Sequence, residues 1–196
     1  MSGAVLLSGF EPFGGRSENP SQQVVQALDG VRLADGSRVH GLVLPVDFDA
    51  APRRLLADVE RLRTRRVLAL GLALGRRTLS VERVALNLCD ADEPDNAGAC
   101  PIDRPVLAGA AAAHFATWPV KASVAALQAA GFDAAPSLSA GSYVCNALFY
   151  RLLEATAGRG IEAGFLHLPP AEVLAPARQV EAVRCVLDAA CQSRST

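Results

Sequence analysis

The chain has 196 residues, 19 basic and 20 acidic side chains, a formal net charge of −1 and 51% hydrophobic residues. That length and apolar content suit one domain, residues 1–196, with a full core, and the balanced charge leaves no field to draw the chain onto nucleic acid or an anionic membrane. The five cysteines (Cys89, Cys100, Cys145, Cys185, Cys191) form an odd set with no CxxC pair and no Cys/His zinc spacing, which argues against a disulfide framework or structural zinc and makes a reducing cytoplasm the expected location.

The apolar start lacks the basic region and cleavage site of a signal peptide and reads as a first strand, 4–8. No apolar run approaches the roughly 18 residues that span a bilayer. After the loop GFEPFGGRSENP, Asn19 and Pro20 read as an N-cap followed by proline at the first helical position, so a helix over 21–28 should stop near Gly30. A second strand is expected over 39–46, a helix over 49–63 with Leu55, Leu56, Val59 and Leu62 on one face, and a buried third strand over 66–71. VERVALNL alternates and reads as one strand, 81–88. Residues 89–105 form a polar stretch too long for a simple connector, which marks it as functional or mobile. A helix over 118–131, a strand over 132–139, a helix over 142–158, a strand over 161–168 and a final helix over 171–192, interrupted or restarted at Pro176, complete the chain. Strands alternating with helices in this way specify an α/β fold: a three-layer sandwich whose twisted, mixed or mostly parallel sheet carries helices on both faces.

Several motif fragments fail on inspection. GFEPFGGRS lacks the lysine of a phosphate loop, GLALG lacks the dinucleotide glycine pattern, and DADEPDNAG has proline where a calcium loop needs its next ligand and no closing glutamate. No cofactor and no metal are expected.

Three residues carry chemistry by their addresses. Cys145 falls in the first turn of its helix, where unpaired N–H groups and the helix dipole favour a thiolate; the competing reading is buried filler beside the stripe of Val144, Leu148 and Leu152. His167 ends a strand before Pro169 and Pro170, at the sheet edge where open α/β folds place ligands, whereas His40 lies in a strand interior and His114 beside the alanine run. Glu82 shares strand parity with Val84, Leu86 and Leu88, and a carboxylate on an apolar face needs a partner. Orienting an imidazole would supply one, in a Cys–His–Glu arrangement; a solvated strand start is the alternative. Cys185, beside Val183 and Val186, suits simple core packing.

The blocks GFEPFGG, Asn19-Pro20, LPV at 44–46, ERVALN, PDNAG, PID at 101–103, WPVKA, SAGSYVCN and GFLHLP occur in order between residue 5 and about 170. Together they resemble the pyroglutamyl peptidase I (pyrrolidone-carboxylate peptidase) family of cysteine peptidases. The resemblance implies that Cys145 is the nucleophile, His167 the general base and acid, and Glu82 the third member of a triad. It implies a single α/β domain, no metal, small peptides with N-terminal pyroglutamate as substrates, and a cytoplasmic homo-oligomer, a tetramer or dimer. Phe10, Phe13 and Val144 would line the substrate pocket and Asn19 would support its loop, with Phe10 and Phe13 in a loop rather than in the core. Three positions depart from the family pattern: Leu72 stands where glutamine is usual, Leu74 where glycine is, and Asp92 where arginine is. An aspartate near the nucleophile would oppose a thiolate. Those departures also admit a divergent homologue acting on another amide or acyl group, or a silent ligand-binding homologue.

Overall fold

In a computed structural model describing residues 3–192, six strands form one sheet in the order β2-β1-β3-β8-β4-β7. These are β1 (Ala4–Phe10), β2 (Arg38–Leu44), β3 (Arg66–Leu72), β4 (Leu79–Glu82), β7 (Ala134–Ser137) and β8 (Glu162–Leu168). Strands β2, β1, β3 and β8 run parallel; β4 pairs antiparallel with β8 and parallel with β7. A separate antiparallel pair joins β5 (Val84–Leu86) to β6 (Ala113–Phe115).

Strand alternation sorts the side chains into two cores. Val5, Leu7, Leu68, Leu70, Val81, Leu166 and Leu168 point to one face. There they meet α1 (Pro20–Leu28), α3 (Val120–Ala129) and α5 (Pro176–Gln192). Leu6, Phe10, Val67, Ala69, Ala163 and Phe165 point to the other, under α2 (Ala50–Leu62) and α4 (Val144–Thr156). The result is the expected three-layer α/β arrangement with a mixed, mostly parallel sheet. Glycine lets neighbouring segments approach the strands closely: a Cβ at Gly9 would lie 2.5 Å from the Ser21 carbonyl oxygen in α1, and one at Gly164 would lie 2.5 Å from Trp118 Cβ ahead of α3.

Asn19 caps α1 as its sequence implies, accepting from the Ser21 N–H at 3.0 Å, with Pro20 at the first helical position. Other boundaries differ for identifiable reasons. VERVALNL is not one strand: it breaks at Arg83, whose N–H donates to the Ser137 carbonyl while its own carbonyl accepts from Ala116 N–H. The chain then leaves the main sheet for the β5–β6 pair. Shared parity therefore does not explain the burial of Glu82; Ala85 is buried, while Val84 and Leu86 are half-buried. α3 starts two residues late because the Thr117 and Trp118 N–H groups pair with the Ala163 carbonyl. α5 begins at Pro176, the position tolerant of a missing N–H, and residues 171–174 form turns instead of helix.

The polar stretch 89–105 is tied down. Cys89 and Arg104 pair across it, Ala91 N–H reaches the Pro101 carbonyl, and Asp90 accepts from Asp103 N–H. Asn146 in α4 anchors the approach by bonding the Leu86 N–H and the carbonyls of Leu86 and Leu88. Among the described residues no helix is long and apolar enough to cross a membrane.

Candidate active site

The site lies where β1, β3 and β8 end, on the face covered by α2 and α4. Residues 139–143 lead into α4, with Gly141 at φ +83° to make the turn, and Cys145 follows Val144 as the second helical residue. The first N–H groups of a helix have no intrahelical partner, so that turn offers donors beside the sulfur. Gly71 of β3 pairs in register with His167 of β8. A Cβ added at Gly71 would lie 2.9 Å from Cys145 Sγ, so the sulfur rests over the strand neighbouring the imidazole.

His167 Nδ1 lies 2.8 Å from Glu82 Oε1. Glu82 pairs with Phe165 across β4 and β8 and reaches His167 diagonally, as cross-strand neighbours do. A carboxylate only accepts, so Nδ1 carries the hydrogen and the Nε2 lone pair is left free. Glu82 is fully buried and His167 nearly so. Arg76, which composition and periodicity did not single out, supplies the countercharge: its Nη1 donates to Glu82 Oε1 at 2.5 Å.

Burial pushes the Cys145 thiol up to about 12, the Glu82 carboxylate adds to that rise, and Arg76 together with the residue's own N–H opposes it. Burial lowers the His167 pKa below its ordinary value; Glu82 raises it and Arg76 lowers it further. The helix start therefore does not by itself make Cys145 a thiolate, contrary to the sequence expectation, because desolvation outweighs it. Both shifts favour the neutral forms, thiol and imidazole.

Beside the sulfur, a narrow, tightly closed cleft is lined by Phe10, Phe13, Asn19, Val46, Leu72, Tyr143, Val144 and Cys145. It thus gathers Phe10, Phe13, Asn19 and Val144. Phe10 is not in a loop, however: it is the last residue of β1, buried in the core, and it borders the pocket as well. Phe13 is half-buried and stacks towards Tyr143, ring centroids 6.3 Å apart. Asn19 Nδ2 donates to the Glu11 carbonyl at 3.0 Å and its Oδ1 accepts from Ser21 Oγ, which in turn accepts from Phe10 N–H. That chain of bonds fixes the loop that carries Phe13.

Asp95 and Asn96 complete the frame. Asp95 accepts from the N–H groups of Phe48, Ala97 and Ala99, while Asn96 Nδ2 donates to Glu11 Oε1 and the Pro12 carbonyl. Their clue in the sequence was the PDN block itself. Of the departures, Leu72 makes one pocket wall apolar and Leu74 is exposed. Asp92 is exposed and lines a neighbouring groove with Phe13, Asp90, Glu93 and Tyr143. The charged groups that shift the thiol are Glu82 and Arg76, and exposed Asp92 faces the neighbouring groove, where solvent screens its charge. Among the described residues no group of three or more His, Cys, Asp or Glu is placed to hold a metal ion.

The sequence pattern of the pyroglutamyl peptidase family matches residues 3–184. A pyrrolidone-carboxylate peptidase from Chromobacterium violaceum is 50% identical over 165 residues, covering 84% of this chain and 77% of that protein. One from Klebsiella pneumoniae is 45% identical over 193 residues, covering 95% and 90%. The crystal structure of pyrrolidone carboxyl peptidase from Pyrococcus furiosus superposes with a TM-score of 0.92 at 35% identity, over 97% of this chain and 99% of that one. With sequence similarity and architecture agreeing along nearly the whole described length, the chain belongs to the pyroglutamyl peptidase family.

Proposed function

We propose that this chain removes an N-terminal pyroglutamyl residue from small peptides, with Cys145 as nucleophile, His167 as general base and acid, and Glu82 as the group that orients and charges the imidazole. One observation carries the reading: the Cys145 sulfur borders a narrow cleft walled by Phe10, Phe13 and Val144 and lies over Gly71, whose partner on the adjacent strand is His167 of the buried Glu82–His167 pair. A pyroglutamyl group is a flat neutral lactam without an ammonium, and aromatic walls suit it better than the carboxylate an ordinary aminopeptidase would need.

The chemistry follows from these positions. Cys145 Sγ attacks the pyroglutamyl carbonyl carbon as its proton passes to His167 Nε2. N–H groups in the first turn of α4 stabilise the oxyanion. The C–N bond breaks as His167 returns the proton to the leaving amine, which leaves a thioester on Cys145. Water, deprotonated by the same imidazole, attacks the thioester, and the proton goes back to the sulfur as pyroglutamate departs. Glu82 holds the ring in the tautomer each step requires.

The test is a panel of pyroglutamyl, prolyl and alanyl fluorogenic amides with the wild type and Cys145→Ser. Turnover of the pyroglutamyl amide alone, abolished by the substitution, is expected; equal cleavage of prolyl amides, or activity surviving in Cys145→Ser, would refute the reading.

The same reading treats residues 1–196 as one domain acting in the cytoplasm as a homo-oligomer, a dimer or tetramer. Four large apolar side chains exposed among the described residues, Leu74, Ile102, Phe115 and Leu138, support association with further copies, and light scattering on the purified protein measures it.

A further inference from the structure

The Arg76 guanidinium touches groups from three parts of the fold. Nη1 donates to Glu82 Oε1 at 2.5 Å and to Ser137 Oγ at 3.3 Å, and Nη2 donates to the Ser139 carbonyl at 2.8 Å. Glu82 ends β4, Ser137 ends β7, and Ser139 begins the turn that runs through Gly141 into α4. Arg76 itself follows β3, whose Gly71 lies under the Cys145 sulfur. One cation therefore joins the strand ends behind His167 to the segment that delivers Cys145.

The use of the carboxylate is lopsided. Oε1 takes both Arg76 and His167, while Oε2 is buried with no hydrogen-bond partner among the described residues. A fully buried carboxylate is costly unless a cation faces it. With Arg76 holding Oε1, the carboxylate cannot turn its bare oxygen towards the imidazole, and one geometry of the Glu82–His167 contact is selected.

We infer that Arg76 is a positioning residue of this reaction, a single clamp that fixes the Glu82 carboxylate and the turn leading to Cys145 in one frame. The inference rests on the Cys145–His167–Glu82 reading above. Its electrostatics point the same way. Seen from the sulfur, Arg76 offsets the Glu82 charge that would otherwise suppress the thiolate; seen from Nδ1, the direct 2.8 Å contact keeps Glu82 available to the imidazolium. The guanidinium thus reduces, without cancelling, the opposition of Glu82 to the thiolate, while its own charge lowers the pKa of His167. Lysine keeps the charge but lacks the planar fork that spans Glu82 and Ser139.

The experiment compares wild type, Arg76→Gln and Arg76→Lys in three readouts: melting temperature, kcat and KM for a pyroglutamyl amide, and the rate of Cys145 alkylation by iodoacetamide at fixed pH, followed by peptide mass. For Arg76→Gln, loss of an opposite charge is worth about 1–3 pK units, so alkylation slows roughly 10-fold or more. Misplacement of the reacting groups lowers kcat by roughly 10²-fold with KM unchanged. Arg76→Lys restores alkylation and leaves kcat between the two. Guanidinium at low concentration raises kcat in Arg76→Ala, whose vacated site is partly exposed, and urea does not. If folded Arg76→Gln and Arg76→Lys alkylate at the wild-type rate, with any loss of kcat matched by lower thermal stability, Arg76 is scaffold only and the inference is overturned. Should Arg76→Gln fail to fold, kcat and melting temperature of Arg76→Lys decide: a lower kcat at unchanged stability supports the inference, and a wild-type kcat overturns it. A wild type inactive on pyroglutamyl amides would refute the substrate reading, while the alkylation comparison would still decide the role of Arg76.

Discussion

Gly71→Ala would place a methyl carbon 2.8 Å from Phe165 Cζ and 2.9 Å from Cys145 Sγ. Non-bonded heavy atoms sit best about 3.5–4.0 Å apart, so roughly 0.7 Å or more must be recovered. Phe165 is fully buried between Phe149 and His167, with ring centroids at 5.7 Å and 4.8 Å, and has little room to yield. The sulfur must move. Overpacking of this kind costs about 1–3 kcal/mol, against about 0.4–1 kcal/mol gained by stiffening the unfolded chain. The net loss reaches about 2 kcal/mol, which lowers Tm by roughly 4–8 °C in a protein of this size. The effect on rate is larger, because a displacement approaching 1 Å between reacting groups can cost roughly 10²-fold. Thermal unfolding and turnover of a pyroglutamyl fluorogenic amide measure the two effects, with Gly75→Ala as the control because an added Cβ there meets nothing within 4 Å. A Gly71→Ala protein with wild-type kcat would show that the sulfur does not need its place over β3, and the proposed alignment with His167 would fail.

Phe10→Ala should cost about 3–5 kcal/mol as a core deletion, while half-buried Phe13→Ala should weaken turnover with little change in Tm; the reverse pattern in paired melting and kinetic measurements would exchange their roles. Asp92→Arg should leave the pH dependence of Cys145 alkylation superimposable on wild type, because Asp92 is exposed and faces the outer groove; a displaced curve would show that its charge reaches the thiol. Because burial lowers the folded pKa of His167, the unfolded chain takes up that proton first. Its contribution to stability is present above about pH 6.5 and lost as pH falls below it, by up to about 1.4 kcal/mol per pH unit, and His167→Gln should flatten that part of a denaturation series. The Cys145 thiol, pushed up to about 12, implies alkylation that keeps accelerating as pH rises past 9, whereas a plateau through neutral pH would reveal a preformed thiolate–imidazolium pair.

Local signals in the sequence carried much of this architecture. Asn19-Pro20 marked the start of α1 because capping chemistry is written within three residues, and the positions of Cys145 and His167 followed from a helix start and a strand end. What escaped were features set by distant partners. Arg76 sits in GLALGRR, where an arginine pair after glycine looks like a solvated turn; only the fold brings Glu82, Ser137 and Ser139 to it. The alternation of VERVALNL concealed a change of sheet at Arg83, because both halves are extended and only their partners differ. Phe10 looked like a loop residue beside Glu11-Pro12, yet β1 continues through it. The helix-start argument for a thiolate at Cys145 counted the favourable dipole and omitted the desolvation that only a packed structure reveals.

The most direct test of the central claim is the site labelled by a pyroglutamyl chloromethyl ketone, mapped by peptide mass while turnover is followed. Cys100 is exposed and offers a competing thiol. One label per chain on Cys145, in step with loss of activity, blocked by a pyroglutamyl peptide and absent in Cys145→Ser, is the expected result. Labelling of Cys100 in place of Cys145, or labelling of Cys145 that a pyroglutamyl peptide does not slow, would contradict the assignment of nucleophile and pocket together.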